Sequence, residues 1–84
     1  MDGVMIGGFS LAQIETVWDR LTDQERNVLN QLYGLHGYKS LSAFSVGQDL
    51  GLTELEVRQI ETDAIGHLAT LLGSGGRTAA PAGD

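Results

Sequence analysis

Four times along this chain, a Ser or Thr residue stands directly before a segment whose apolar residues recur at steps of three and four positions. This spacing places the apolar side chains on one face of an α-helix. The preceding hydroxyl can accept a hydrogen bond from a free N–H of the first turn, so it fixes where the helix begins. The four predicted caps are Ser10, Thr22, Ser42 and Thr53. The pattern therefore predicts an all-α, four-helix domain.

The predicted helices span residues 11–21, 23–33, 43–50 and 54–72. In three of them, a Gln or Glu three positions after the cap completes a capping box. Gly34 and Gly51 follow the second and third helices, where a residue free to adopt positive φ commonly ends a helix. The longest apolar stripe belongs to the fourth helix, and it consists of Val57, Ile60, Ala64, Leu68 and Leu71.

Both ends of the chain lack a comparable stripe. Residues 73–84 consist largely of Gly, Ala, Ser and Thr with Pro81, and they include no bulky apolar residue. A segment of this kind buries too little surface to offset the entropy lost on ordering. We expect residues 1–10 and 73–84 to be flexible tails around a single domain at residues 11–72.

The net charge of the 84-residue chain is −6, from 5 Lys and Arg residues against 11 Asp and Glu residues. Proteins that bind duplex DNA rely on cations to displace counterions from phosphates, so this balance opposes DNA binding unless the cations are clustered.

The absence of cysteine excludes disulfides and thiolate metal sites. We find no signal peptide and no apolar run near the roughly 20 residues of a membrane helix, so we expect a cytoplasmic protein without membrane contact.

Candidate catalytic and metal-binding residues are sparse. His36 and His67 lie on different predicted elements, without a carboxylate pair at ligand spacing, so we interpret both as surface residues. The carboxylates are not accompanied by a nucleophile or by oxyanion donors. The sequence therefore predicts neither an enzyme nor a bound cofactor or metal.

The third helix, the turn at Gly51 and the fourth helix have the layout of a helix-turn-helix. In that motif the second helix enters the major groove of DNA with its N-terminal residues leading. Spacing alone does not decide between this motif and a simple helical hairpin, because any helical hairpin can contain a Gly turn followed by a capping box.

Specific strings add to this layout. Residues 21–29, Leu-Thr-Asp-Gln-Glu-Arg-Asn-Val-Leu, are followed by Tyr-Gly-Leu at 33–35 and by Val-Gly-Gln-Asp-Leu-Gly-Leu-Thr at 46–53. The string Val-Arg-Gln-Ile-Glu then occupies 57–61. Together these strings resemble region 4, the C-terminal promoter-reading domain of bacterial sigma-70-family factors, over about residues 11–72.

The resemblance implies two contacts. One is with the upstream promoter element through the recognition helix, where Arg58 and Gln59 match family positions and Thr53 matches a cap position near the phosphates. A Gln side chain can bind adenine through two hydrogen bonds. The other is with the flap of the RNA polymerase β subunit, whose apolar tip sits in a cleft of the domain. Arg58 has an alternative role in a surface ion pair with Glu54 or Glu61.

The chain departs from the family on the recognition helix. Positions that are usually basic hold Glu54, Glu56, Asp63, Gly66 and His67. Four carboxylates and one Arg give residues 54–72 a net charge of −3. The carboxylates of this helix would repel the DNA phosphates, whereas the basic residues of the family attract them.

Two apolar residues occupy positions where the family has polar ones. Phe44 lies on the third helix and Leu55 on the fourth, and both are expected to be exposed. Exposed apolar residues taken singly need no explanation. Two of them on one helix-turn-helix are candidates for a protein-binding patch, which would also serve self-association as a homodimer.

These observations favour a small transcription regulator that acts by protein contacts with the RNA polymerase β flap or a sigma factor, with reduced DNA reading. The alternative is a promoter-binding module that uses Thr53, Arg58 and Gln59, with a partner or a second copy supplying phosphate contacts. The 84 residues include no segment that would melt a promoter, so we do not expect a complete sigma factor unless the chain is a fragment of a longer protein.

Overall fold

The computed structural model describes residues 5–73, which form four α-helices and one short β-hairpin. The helices are α1 (Leu11–Thr16), α2 (Asp23–Tyr33), α3 (Ala43–Leu50) and α4 (Glu54–Leu71), and the strands are β1 (Met5–Ile6) and β2 (Phe9–Ser10). The fold is therefore mostly helical, and the prediction of a four-helix domain is confirmed.

All four predicted caps are present. In each helix the cap hydroxyl accepts the backbone N–H three residues later, at 3.2 Å for Ser10, 3.1 Å for Thr22, 3.1 Å for Ser42 and 3.0 Å for Thr53. The capping boxes of α1, α2 and α4 are complete. The start of each helix was predictable because a cap hydroxyl and the N–H that it accepts are only three positions apart in the sequence.

The first helix is shorter than predicted. α1 ends at Thr16, Val17 leaves the helical region with φ of −123°, and a 3₁₀ turn (Trp18–Arg20) follows. The consecutive β-branched residues Thr16 and Val17 disfavour a continued helix. The sequence has no Gly at this point that would have predicted the end of the helix. The Arg26 guanidinium of α2 donates to the carbonyl oxygen of Leu21 at 2.9 Å, so a side chain satisfies a carbonyl beyond the turn.

The prediction of an N-terminal tail is wrong for residues 5–10. Gly7 and Gly8, with φ of 60° and 88°, form the turn of the hairpin, and Ile6 is fully buried. Positive φ at both turn residues suits the right-handed twist of short hairpins, and Gly adopts it without steric cost. Residues 1–4 and 74–84, including most of the predicted C-terminal tail, lie outside the described residues.

Two apolar clusters stabilise the domain. The first joins the hairpin and α1 to α2 and α4, and its buried members are Ile6, Ile14, Leu21, Leu29, Leu35, Ala64 and Leu68. The second joins α2 to the helix-turn-helix, and its buried members are Val28, Ala43, Val46 and Val57. Both clusters include α4, so one side of α4 packs inward and the opposite side faces solvent.

The turn between α3 and α4 is tight. Gly51 adopts a φ of 75°, and the backbone N–H of Leu52 donates to the carbonyl oxygen of Gly47 at 2.7 Å. A Cβ atom added to Gly47 would lie 2.5 Å from the carbonyl oxygen of Leu52. The absence of a side chain at Gly47 therefore allows the turn to fold back onto α3 and sets the angle at which α4 leaves it.

Candidate functional site

The outward face of α4 forms the candidate site. Leu55, Arg58, Gln59, Thr62 and Asp63 line a shallow depression of about 410 Å³. Arg58 and Gln59, which were predicted as DNA-contacting residues, are therefore adjacent and accessible on this face. The face is open to solvent along its length, so it suits contact with a large surface better than enclosure of a small molecule.

Arg58 pairs with Glu61 rather than with Glu54. Its guanidinium lies 3.6 Å from a carboxylate oxygen of Glu61, whose side chain is only 17% exposed. The hydroxyl of Tyr33, on α2, donates to the other oxygen of Glu61 at 2.5 Å. The Tyr33 hydroxyl therefore holds Glu61, which in turn faces the single cation of α4.

The hydrogen bond between Tyr33 and Glu61 was not predicted from the sequence. The position of Tyr33, 28 residues before Glu61, gives no local signal of the hydrogen bond. Burial and the hydrogen bond to the Glu61 carboxylate raise the pKa of Tyr33 to about 12. The phenol therefore stays protonated as a donor over the physiological range.

Thr53, the third predicted DNA-contacting residue, serves as the cap of α4. Its hydroxyl accepts the N–H of Glu56, and its own N–H donates to the Glu56 carboxylate at 2.8 Å. Thr53 is exposed at the N-terminal end of α4. The Glu56 carboxylate, however, already satisfies a backbone donor there and places a negative charge beside it.

The charges on the accessible part of α4 are mostly negative. Glu54 and Glu56 occupy the first turn and Asp63 lies further along the helix, all exposed to solvent. Carboxylates stabilise the positive end of the helix dipole, so the two glutamates support the fold. The same charges repel phosphates at the end of the helix that would enter a major groove.

Phe44 and Leu55, the predicted protein-contacting residues, are strongly exposed. The exposed fraction is 57% for Phe44 and 67% for Leu55. Leu55 lies in the depression beside Arg58, and Phe44 projects from α3. Both elements of the helix-turn-helix therefore present a large apolar side chain to solvent.

The two histidines stabilise contacts between elements. The His36 ring bonds to Asn30 and to the Glu15 carboxylate, at 2.6 and 2.7 Å, and packs against Trp18 with ring centroids 4.8 Å apart. His67 of α4 lies 3.1 Å from the buried carboxylate of Glu25 on α2. These contacts give both rings a structural role.

Glu25 completes the cap of α2 and binds α4 at the same time. Burial acts to raise the pKa of Glu25, but the hydrogen bond from the Thr22 backbone and the contact with His67 outweigh it, so the pKa lies below its usual value. Glu25 is therefore held as a carboxylate between the two helices.

Within residues 5–73, no group of three or more His, Asp or Glu side chains is placed to hold a metal ion. In the same range, no helix is both long and apolar enough to cross a membrane.

Comparison with known proteins identifies the domain. The model of the family described as sigma-70, region 4 matches residues 18–70. The RNA polymerase sigma factor SigA of Listeria monocytogenes is 41% identical over 56 residues, which cover 67% of this chain but only 15% of that protein. No solved structure matches the chain. The chain therefore belongs to the sigma-70 region 4 family, whose members are non-enzymatic helix-turn-helix domains of transcription factors.

Proposed function

We propose that this protein is a small transcription regulator that acts by protein contacts, either with the flap of the RNA polymerase β subunit or with a sigma factor. Its helix-turn-helix serves as a scaffold in this role and has lost most of its ability to read DNA. The proposal is consistent with an α4 that keeps the framework of the family while its outward face is acidic and partly apolar.

The observation that carries the proposal is the charge around Arg58. Arg58 is the one Lys or Arg on α4, and the Glu61 carboxylate lies 3.6 Å from its guanidinium. A phosphate contact would have to compete with Glu61 and approach past exposed Glu54 and Glu56. Each arginine-to-guanine pair that a family member makes and this chain lacks forgoes about 1–3 kcal/mol of base discrimination.

The exposed side chains of Phe44 and Leu55 support protein contact. Aromatic residues are enriched in the cores of protein interfaces, and removing an exposed apolar side chain from water is favourable. Phe44 on α3 and Leu55 on α4 each offer a partner an exposed apolar side chain on the helix-turn-helix.

Partner capture tests the proposal. The protein is titrated against a β-flap fragment and against a sigma factor by isothermal calorimetry, using the parent, Phe44→Ser and Leu55→Glu. We expect each substitution to weaken binding of the true partner by at least about tenfold, which corresponds to roughly 1.4 kcal/mol. Circular dichroism should remain unchanged, because both side chains are exposed.

Two control variants separate the patch from general surface effects. Tyr38→Ser removes an aromatic residue that is 47% exposed but lies in the loop before α3. Gln24→Glu adds the same charge as Leu55→Glu, at an exposed position in the first turn of α2. Both controls should bind like the parent. Equal binding by all five proteins would remove Phe44 and Leu55 from the interface.

A promoter-binding module remains the second candidate, because Arg58 and Gln59 are adjacent and exposed on the outward face of α4. For this function, Arg58→Ala should weaken binding to a promoter duplex and reduce the slope of log affinity against log salt by about one phosphate contact. An Arg58→Ala protein that binds DNA like the parent would argue against this candidate.

A further inference from the structure

A second depression of the surface lies between α2, α3 and the connection that joins them, residues 34–42. Its volume is about 360 Å³, within the range of roughly 300–1,000 Å³ that small-molecule sites occupy. Phe44 and Leu55 do not line it, so it is distinct from the surface assigned above to a protein partner. We call it the α2–α3 depression, and its lining consists of Gln31, Gly37, Tyr38, Lys39, Leu41 and Asp49.

Hydrogen bonds hold the connection against α2. The backbone N–H of Leu41 donates to the carbonyl oxygen of Gln31 at 2.7 Å. The Ser40 hydroxyl donates to the carbonyl oxygen of Leu32 at 2.9 Å. These two bonds fix the wall that carries Tyr38, so the depression forms as part of the fold and does not require a ligand to create it.

Gln31 on α2 brings a buried polar group without a partner to this depression. The residue is only 7% exposed, and within residues 5–73 its side-chain oxygen Oε1 accepts no hydrogen bond. Native proteins leave few buried acceptors without a donor, because such groups destabilise the folded state. The terminal torsion of a Gln side chain is broad, so the amide can turn Oε1 towards an incoming donor. The depression therefore suits a ligand that carries a hydrogen-bond donor.

Lys39 and Asp49 contribute one positive and one negative charge to the lining. Neither side chain forms an ion pair in the part of the chain that the structure describes. An anionic ligand would be repelled by Asp49 and by the net charge of −6, whereas a cationic ligand would be repelled by Lys39. A zwitterion avoids both costs, because each of its charged groups has an opposite charge to bind.

We propose that the α2–α3 depression binds a free amino acid with an aliphatic side chain. The carboxylate of the ligand pairs with Lys39, and its ammonium group pairs with Asp49 and donates to Gln31 Oε1. The aliphatic side chain packs against Leu41 and the ring of Tyr38, where it leaves water. This inference goes beyond the proposed function and does not depend on it.

NMR titration of the isotope-labelled protein with L-leucine tests the site. We expect saturable shifts at millimolar concentrations, confined to amides that line the depression and to the side-chain amide of Gln31. Isocaproate lacks the ammonium group of leucine and isoamylamine lacks its carboxylate, so each should bind at least about threefold more weakly than L-leucine. The absence of saturable shifts with L-leucine would overturn the proposal, as would equal affinity for either truncated probe. Tighter binding of adenosine monophosphate than of L-leucine would also overturn it.

Gln31→Met tests the role of the buried amide. Methionine has a similar length but lacks the unpaired oxygen, so the urea midpoint of the variant should not fall. We expect the variant to bind L-leucine about fivefold or more weakly than the parent, because the donor of the ligand loses its acceptor. A Gln31→Met protein that binds L-leucine like the parent would overturn the proposal.

Charge variants test the two ends of the ligand separately. Lys39→Gln and Asp49→Asn should each weaken L-leucine binding about threefold or more without affecting the fold, because both side chains are exposed. Arg20→Gln and Asp63→Asn are matched controls that remove the same charges at exposed positions outside the depression. The controls should bind like the parent. Equal losses in the controls and in the depression variants would overturn the proposal, because the net charge alone would then account for them.

Discussion

Gly47 and Gly66 are both helical glycines, but their surroundings are opposite. A Cβ at Gly47 would collide with the Leu52 carbonyl oxygen, whereas a Cβ at Gly66 would meet no atom within 4 Å. We expect Gly47→Ala to lower the free energy of unfolding by about 1–3 kcal/mol, because the turn must shift to admit the methyl group. Gly66→Ala should raise it by about 0.5–1 kcal/mol, because alanine favours helix without a clash.

Urea unfolding of both glycine variants and the parent provides the comparison. Since the two substitutions add the same methyl group to a helix, the opposite sign of their effects isolates the close approach at the turn. A Gly47→Ala protein as stable as the parent would contradict the role given to Gly47.

The structural role of Thr53 as the cap of α4 can be tested without DNA. We expect Thr53→Ala to lower the free energy of unfolding by about 1 kcal/mol, because it removes the hydroxyl that accepts the Glu56 N–H. Thr53→Ser keeps that hydroxyl and should retain most of the stability, as measured by urea unfolding. Equal stability of the Ala and Ser variants would show that the cap contributes little.

Contacts between residues a few positions apart in the sequence were predictable, whereas contacts that form only when helices pack together were not. Thr53 was predicted as a cap because its partner lies three residues away, and the Arg58–Glu61 pair was one of two alternatives for the same reason. The Tyr33–Glu61 hydrogen bond was missed, because it forms only when α2 packs on α4. The close approach at Gly47 was likewise missed, because it depends on how the chain folds back after Gly51.

At the scale of elements, Tyr33 and Glu61 link α2 to the outward face of α4. The folded pKa of Tyr33 is about 12, above its ordinary value of 10.0, so the folded state retains a proton that the unfolded state loses first. The stability from this group is therefore full below pH 10 and is lost as the pH rises towards 12. Tyr33→Phe cannot ionise and should not show this loss.

Chemical unfolding of the parent and Tyr33→Phe between pH 8 and about 12 tests this linkage. We expect the parent to be more stable at pH 8 by about 0.5–1.5 kcal/mol, the usual net value of one hydrogen bond. The difference in the free energy of unfolding between the parent and Tyr33→Phe should shrink as the pH rises towards about 12. A difference that stays constant with pH would mean that the Tyr33 pKa is not raised in the folded state.

The hairpin explains why the N-terminal element was assigned incorrectly. Residues 1–10 were interpreted as a tail because they lack an apolar stripe comparable to those of the helices. Two adjacent glycines between Ile6 and Phe9 are, however, the signature of a two-residue hairpin turn. Two-residue strands are too short for an alternating pattern to be recognised, so only the burial of Ile6 reveals that this segment belongs to the domain.

At the scale of the whole molecule, the apolar and capping patterns determine the fold, whereas the distribution of charge concerns function. The helices α2 to α4 and their caps followed from local patterns, and the family match at residues 18–70 agrees with them. The net charge of −6 and the single cation on α4 concern function rather than fold. A family framework combined with an acidic recognition helix is the basis for proposing protein contact as the main activity.

Loss of DNA reading can be measured by fluorescence anisotropy of a labelled promoter duplex, titrated with the protein at low and at moderate salt. We predict no saturable binding at moderate salt and no preference for promoter sequence at low salt, because the approach of α4 to phosphates is repulsive. Saturable, sequence-selective binding that is lost in Arg58→Ala would contradict the proposed function and would identify the protein as a promoter reader.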